Sequence, residues 1–288
     1  GTQHPTAAAA AATRQSLGPS PRAVALQAAV TDSVRQGAPI VSVAAGDYYF
    51  GNTSLVIRGA HDFTLRAERG AGTVHLWFSI GAGLLVNQSS DVVLDGLSLD
   101  YDPPAHYQGT IVRVSDARSS KGVQVLVQTD AGFLDPDAFD AAYRTGTPGV
   151  QSGPTAMVWN SSDPDFGAFG SAQWPPTATA TATAGGARLF EFSAVSLCGN
   201  INFVTTDGSS CRDTSTPSMP RAGDKITAHI RAGFTLHLLN SSRVRTQHTS
   251  IHGAPGFAIT EYDGLGAHSY VNVSVGRRHV ARMRTHVE

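Results

Sequence analysis

Along residues 81–102, GAGLLVNQSSDVVLDGLSLDYD, apolar and polar positions alternate in three short runs, Leu84 and Val86, Val92 and Leu94, then Leu97 and Leu99. Alternation of period two over so few residues predicts short strands with one buried face. The first two runs are separated by Asn87-Gln88-Ser89-Ser90-Asp91, side chains that hydrogen-bond their own backbone and favour a turn. Moving the segment back by 29 positions lays Leu55, Ile57, Phe63 and Leu65 on Leu84, Val86, Val92 and Leu94, with Asp62 on Asp91. Moving it forward by 152 lays Leu236, Leu238, Val244 and Ile251 on Leu84, Val86, Val92 and Leu99, with Ser241-Ser242 on Ser89-Ser90. A repeat in the twenties with three strands per turn predicts a solenoid, in which stacked turns together bury what no single turn can.

Residues 1–20 hold a hexa-alanine run among scattered Pro, Ser and Gly and read as a flexible lead-in. The 21–102 segment reads as an N-terminal cap and the first solenoid turns. Its helix over 21–36 has Ser20 to cap it, Pro21 at its first position, Gly37 to end it and an apolar stripe of Ala23, Leu26, Val30 and Val34. Such a helix would cover the open end of the stack. Ile40, Val41 and Val43 begin the sheet, and Gly46-Asp47-Tyr48-Tyr49-Phe50 reads as a turn followed by an aromatic strand. The pattern breaks at Asp100-Tyr101-Asp102-Pro103-Pro104 and resumes at Phe234. Residues 103–230 therefore read as an inserted domain. Alternating runs at 110–114, 123–127, 188–195 and 225–230 predict a small antiparallel barrel or sandwich, and the TATATATA tract at 177–184 a loose loop. Residues 231–288 resume the solenoid, which reads as cut short after about one strand of a new turn.

Charge and composition narrow the function. With 21 Lys plus Arg against 22 Asp plus Glu and no basic run interleaved with aromatics, nucleic acid is not an expected partner. There is no apolar run long enough to span a membrane. N-glycosylation sequons at Asn52, Asn87, Asn160, Asn240 and Asn272 point to a secreted or extracellular protein, although an Asn at a solenoid turn has a structural use as well. Cys198 and Cys211 lie 13 apart in a Gly/Ser/Thr-rich stretch, a spacing that suits one disulfide worth about 3 kcal/mol. Two cysteines alone make no zinc site, and no dense acidic set suggests calcium.

The order of helix, short Val-rich strand, AAGDYYF and NQSSDVVLDGL turns resembles the start of right-handed parallel β-helix proteins of the pectin-lyase-like superfamily. The strings LDYDPPAHYQGTI, GDKITAHIRAGFTLHLLNSSRV and GFAITEYDGLGAHSYVNVSV, flanking a β insertion, resemble within it the glycoside hydrolase family 110 α-galactosidase branch. The resemblance implies an all-β, right-handed solenoid with an inserted barrel, a galactose-containing or related glycan as partner, and no cofactor. It also implies catalytic acids in later turns, including an adjacent Asp-Asp pair that this chain lacks. The 288-residue chain is on that ground expected to hydrolyse α-galactosides poorly.

Glycoside cleavage needs two carboxyl groups flanking the bond. Glu261 and Asp263 are candidates because the stretch between Ile259 and Val271 reads as an expanded loop of eleven residues, against five between Leu238 and Val244. Asp102 is a third candidate acid, although an Asp before Pro is also a turn former. Asp100, Tyr101, His106, Gln108, Tyr262 and His268 are candidates to bind sugar through rings and polar tips. A non-catalytic glycan-binding or structural β-helix is the competing expectation. A polysaccharide lyase, with Arg243, Arg245, Arg277 and Arg278 as its cations, is a third.

Overall fold

The computed structural model describes residues 18–70, 72–102, 104–114, 123–137, 139, 155–159, 168–173, 181–182, 188–196, 221–229, 233–255, 257–262 and 266–276. It is mostly β, with parallel sheets and one long helix. The chain divides into two compact units, Gly1–Ala105 with Gly146–Gly149 and Arg231–Glu288, and His106–Thr145 with Val150–Ile230.

Helix α1 (Pro21–Gln36) forms as its punctuation dictates. The Ser20 side chain accepts from the Ala23 N–H, Gly37 closes the last turn at a φ of 69°, and Ala23, Leu26 and Val30 are buried. The chain then makes circuits through three parallel sheets. The first circuit is β1 (Ile40–Val43), β2 (Gly46–Gly51) and β3 (Leu55–Arg58), and the second is β4 (His61–Ala67), β5 (Val74–Phe78) and β6 (Leu84–Asn87). The third begins with β7 (Ser90–Asp95) and β8 (Leu97–Tyr101).

There the second unit intervenes, with β9 (His106–Val114), β10 (Val123–Thr129), β11 (Thr155–Trp159), β12 (Ala168–Gln173), β13 (Thr181–Ala182), β14 (Arg188–Ser196) and β15 (Lys225–His229). The third circuit is completed by β16 (Phe234–Leu239). β17 (Arg245–Gln247), β18 (Ser250–His252) and β19 (Phe257–Tyr262) make a fourth, and β20 (Ser269–Val271) and β21 (Ser274–Gly276) start a fifth. Every first strand of a circuit joins one sheet, β1-β4-β7-β17-β20, every second strand another, β2-β5-β8-β18-β21, and every third strand the last, β3-β6-β16-β19.

The registers are those the repeat predicts. Leu84 and Val86 pair with Leu55 and Ile57 on one side and with Leu236 and Leu238 on the other. Phe63 and Leu65 pair with Val92 and Leu94, and Ser90 bridges to Ser242. All of these apolar residues are buried, so each inward row is a stack of aliphatic or aromatic side chains. The corners between the third and first sheets hold left-handed residues at matching places, Gly59, Gln88 and Asn240 in one stack, and Asp62, Asp91, Arg243 and Ala267 in another. Asn87 and Asn240 therefore do not stack on each other; Asn87 pairs with Arg58 and Leu239.

Helix α1 seals the first circuit with a side chain. Gln27 Nε2 donates to the Val56 carbonyl at 3.0 Å and Gln27 Oε1 accepts from the Val56 N–H at 2.8 Å, occupying the edge of β3 as a neighbouring strand would.

In the second unit β9, β10, β14, β12, β11 and β15 pair antiparallel in that order and β15 returns to β9, so six strands close into a barrel with β13 attached to β14. Tyr107, Ile111, Val125, Val127, Ile226 and Ala228 are among its buried residues. The alternating runs foreseen at 110–114, 123–127, 188–195 and 225–230 fall within β9, β10, β14 and β15. The TATATATA tract is not wholly a loop, since Thr181 and Ala182 pair with Leu189 and Arg188. Thr is a good strand former, and an edge strand needs only one partner.

Candidate functional site

Alternation in β2, β5 and β8 buries Tyr48, Leu76, Phe78 and Leu99 and turns the residues between them outward. Two outward rows cross the second sheet as a result. One contains Asp47, His75, Ser98, Ser250 and Ser274, each pairing with the next. The other contains Tyr49, Trp77 and Asp100, then His252 and Gly276. Tyr49 and Trp77 have ring centroids 5.8 Å apart and planes within 11°; His75 lies 5.9 Å from Trp77 with planes at 27°. Asp47 Oδ1 accepts from the Trp77 indole N–H at 2.7 Å and fixes the ring. Tyr49 is 37% exposed, whereas Trp77 is 7% and Asp100 5% exposed.

The Asp100 carboxylate is sheltered. Its Oδ1 accepts from the Tyr101 N–H at 2.8 Å, and it packs so close to the β18 end that a methyl group on Gly253 would lie 3.4 Å from it. His252, one position beyond the Ile251–Leu99 pair, brings an imidazole into the same row. Two carboxylates, two imidazoles and two larger rings thus share one face, and among the described residues of the two rows there is no Lys or Arg.

The other expected site residues are dispersed. Tyr101 faces inward and is fully buried. Its hydroxyl donates to the Ala82 carbonyl at 3.0 Å and lies 3.1 Å from Thr235 Oγ1, so it is a packing residue and offers nothing to a ligand. Burial pushes its phenol well above the ordinary range. Asp102 follows β8, half-buried, its N–H donating to the Phe78 carbonyl at 3.0 Å.

His106 belongs to the barrel unit, where it is buried with its ring centroid 5.0 Å from that of Phe133. Gln108 belongs there too, in a cluster in which Asp130 accepts from Gln108 at 2.8 Å, Thr110 at 2.5 Å and Lys225 at 2.7 Å. Burial alone would raise the Asp130 carboxyl, but the hydrogen bonds from Lys225, Thr110 and Gln108 outweigh it and hold the group below its ordinary value. A depressed carboxylate contributes stability that is present above the unfolded value, near 3.8, and lost as the pH falls through the folded one. Asp130→Asn is accordingly expected to cost about 1–2 kcal/mol at pH 7, discounted because Lys225 is partly exposed, and to flatten the acid limb of the stability curve. Urea unfolding from pH 7 down to 2 checks both.

Glu261 lies within β19 and not in an expanded loop. It pairs with Leu238, which pairs with Val86, so it occupies an inward row. The chain goes from Leu239 to Arg245 and from Tyr262 to Ser269 in nearly equal steps, so the eleven-residue gap mistook Ile259 for the partner of Leu238 when its partner is Leu236. Glu261 Oε1 accepts from the Tyr270 hydroxyl at 2.6 Å. Tyr270 is itself on an inward row, opposite Thr246, and burial together with the adjacent Glu261 raises its phenol. Tyr262 is 62% exposed on the opposite side of β19. His268 Nδ1 accepts from the Val244 N–H at 3.2 Å, which makes it a turn-stacking residue. Asp263, Arg277, Arg278, Cys198, Cys211 and Asn160 lie outside the described residues.

Of the cations considered for a lyase, Arg243 is held by Asp91 across two circuits, and Arg245 is on the first sheet. Asn52, Asn240 and Asn272 are exposed, whereas Asn87 and Ser89 are buried, which closes that sequon to modification in the folded chain. Among the described residues no group of three His, Cys, Asp or Glu side chains could hold a metal ion, and no helix is long and apolar enough to cross a membrane.

Sequence reasoning missed Asp47, Tyr49, His75, Trp77 and His252 as a set. Their signal was present in the 28-position shift that lays Gly46-Asp47-Tyr48-Tyr49 on Val74-His75-Leu76-Trp77, a register only the pairing makes visible. No known protein-family model matches the chain, and no curated protein is significantly similar to it.

Proposed function

We propose that the parallel unit is a right-handed β-helix and that the protein is a secreted, carbohydrate-active one. In this reading it is a glycoside hydrolase that holds a glycan on the outward face of its second sheet. The handedness rests on the strong preference of parallel crossovers. The function rests on one observation, the meeting of flat aromatic rings with sheltered and half-exposed carboxylates on a single face. That is the chemistry a pyranose needs, rings for its C–H surface and carboxyl groups for its hydroxyls and its glycosidic oxygen.

Asp47 and Asp100 lie two strands and two residues apart, so their α-carbons are about 12 Å apart at ordinary sheet spacings. Carboxyl groups leaning toward each other from there would fit the wider separation of an inverting mechanism, about 6.5–9.5 Å, and not the closer one of a retaining mechanism. Asp100, sheltered and beside His252, is the candidate acid. Asp47, engaged by Trp77, favours the second reading, a glycan-binding β-helix without turnover.

A reducing-end assay on a panel of glycosides and polysaccharides, run beside a glycan-binding array, tests the proposal. Asp100→Asn is expected to lower turnover at least 100-fold while the fold persists. Glycan binding by the wild type without any bond cleavage would select the binding reading. Neither binding nor cleavage would remove both.

A further inference from the structure

The ligand that the second sheet receives can be specified further, on the premise that it is a glycan. We propose that it is a linear, uncharged oligosaccharide laid across the strands and spanning at least three of them, and not a single terminal sugar. The Tyr49 row presents one side chain per strand, Tyr49 on β2, Trp77 on β5, Asp100 on β8 and His252 on β18, four strands in succession. Neighbouring strands are about 4.8 Å apart, close to the length of one pyranose unit in an extended chain. The row is therefore commensurate with consecutive sugars, one for each strand crossed.

Tyr49 and Asp100 are separated by two such steps, about 10 Å, so no monosaccharide bound at Asp100 reaches the Tyr49 ring. The aromatic end of the row is rigid, because Asp47 holds the Trp77 indole and the rings of Tyr49 and His75 lie nearly parallel to it. A stiff ring binds at little entropic cost, and its value to a sugar is realised only if the glycan extends that far. Charge sets the class. Asp47 and Asp100 lie on the two rows with no Lys or Arg among their described residues, so a uronate-bearing chain would meet like charge along the whole path.

The experiment is a chain-length series with the full chain. Calorimetric titrations use neutral oligosaccharides of one to five units from galactan, mannan, xylan and glucan, with oligogalacturonides as the anionic control. Affinity is expected to rise at least tenfold from one unit to three and then level off. Tyr49→Ala should abolish most of that gain while leaving the affinity for one unit unchanged, and Tyr49→Phe should restore it, because the ring and not the hydroxyl is required. Asp100→Asn should weaken binding at every length. Trp77→Phe should remove the part of the tryptophan emission that responds to three units. Equal affinity for one unit and three, an unchanged length dependence in Tyr49→Ala, or oligogalacturonides bound as tightly as the neutral series would each overturn the inference and leave the proposed function standing. Absence of binding at all lengths, or binding indifferent to Asp100→Asn, overturns the proposed function itself.

Discussion

Gly83→Ala is expected to destabilise the parallel unit by about 3 kcal/mol, the upper range for overpacking. A β-carbon at Gly83 would lie 2.3 Å from the Phe234 carbonyl oxygen and 2.7 Å from that of Thr235, and both are backbone atoms that cannot swing aside. Relief requires β6 and β16 to separate, which would strain the Leu84–Leu236 pairing and the hydrogen bond from the Leu55 N–H to the Gly83 carbonyl. Replacing Gly by Ala ordinarily helps a strand by reducing the freedom of the unfolded chain, so a large loss here isolates the steric contact. Gly18→Ala is the control, since nothing lies within 4 Å of its added carbon. Urea unfolding with equal slopes for the two variants makes the comparison, and a Gly83→Ala midpoint equal to that of the control would refute this packing.

Removing residues 106–232 and joining Ala105 to Gly233 should leave a chain that still unfolds cooperatively, although it loses the whole barrel. Undisturbed circuits space paired residues by 29 positions, as from Leu55 to Leu84, or by 23, as from Leu236 to Ile259. Leu84 and Leu236 are 152 apart. Excision of 127 residues brings that to 25, inside the natural range. The insert also begins and ends on neighbouring strands, with His106 opposite His229 in the β9–β15 pair. Closing a long loop costs only a logarithm of its length, so the change in stability should be no more than about 2 kcal/mol. Circular dichroism and urea unfolding of the shortened chain read the result, and a non-cooperative transition would mean that the insert helps hold the circuits together.

Much of the fold is legible in the chain because stacked circuits impose equal registers. Leu84, Val86, Val92 and Leu94 find their partners at fixed shifts, and those shifts survive a break of more than a hundred residues. Helix α1 is legible for a local reason, since Ser20, Pro21 and Gly37 punctuate it.

Legibility fails where a polar residue occupies an inward row. Glu261 ends the visible alternation after Ile259 and so reads as loop, whereas the pairing with Leu238 continues the strand through it. It fails again on the outward face. Asp47, Trp77 and Asp100 are 53 positions apart at the extremes, and nothing in composition reveals that three strands bring them side by side. Tyr101 was misread for the opposite reason. Its neighbour Asp100 faces out, and in a strand that fixes Tyr101 as facing in.

The two hydrogen bonds by which Gln27 occupies the edge of β3 bear on how such a chain can change length over evolution. A cap that satisfies the first circuit through one side chain depends on the identity of that circuit and is indifferent to how many follow. Duplication or loss of an interior circuit would leave the helix, its glutamine and their partner untouched, and would lengthen or shorten the outward rows by one step. Descendants differing by whole circuits would therefore inherit the same closed end and differ in the reach of the face beside it.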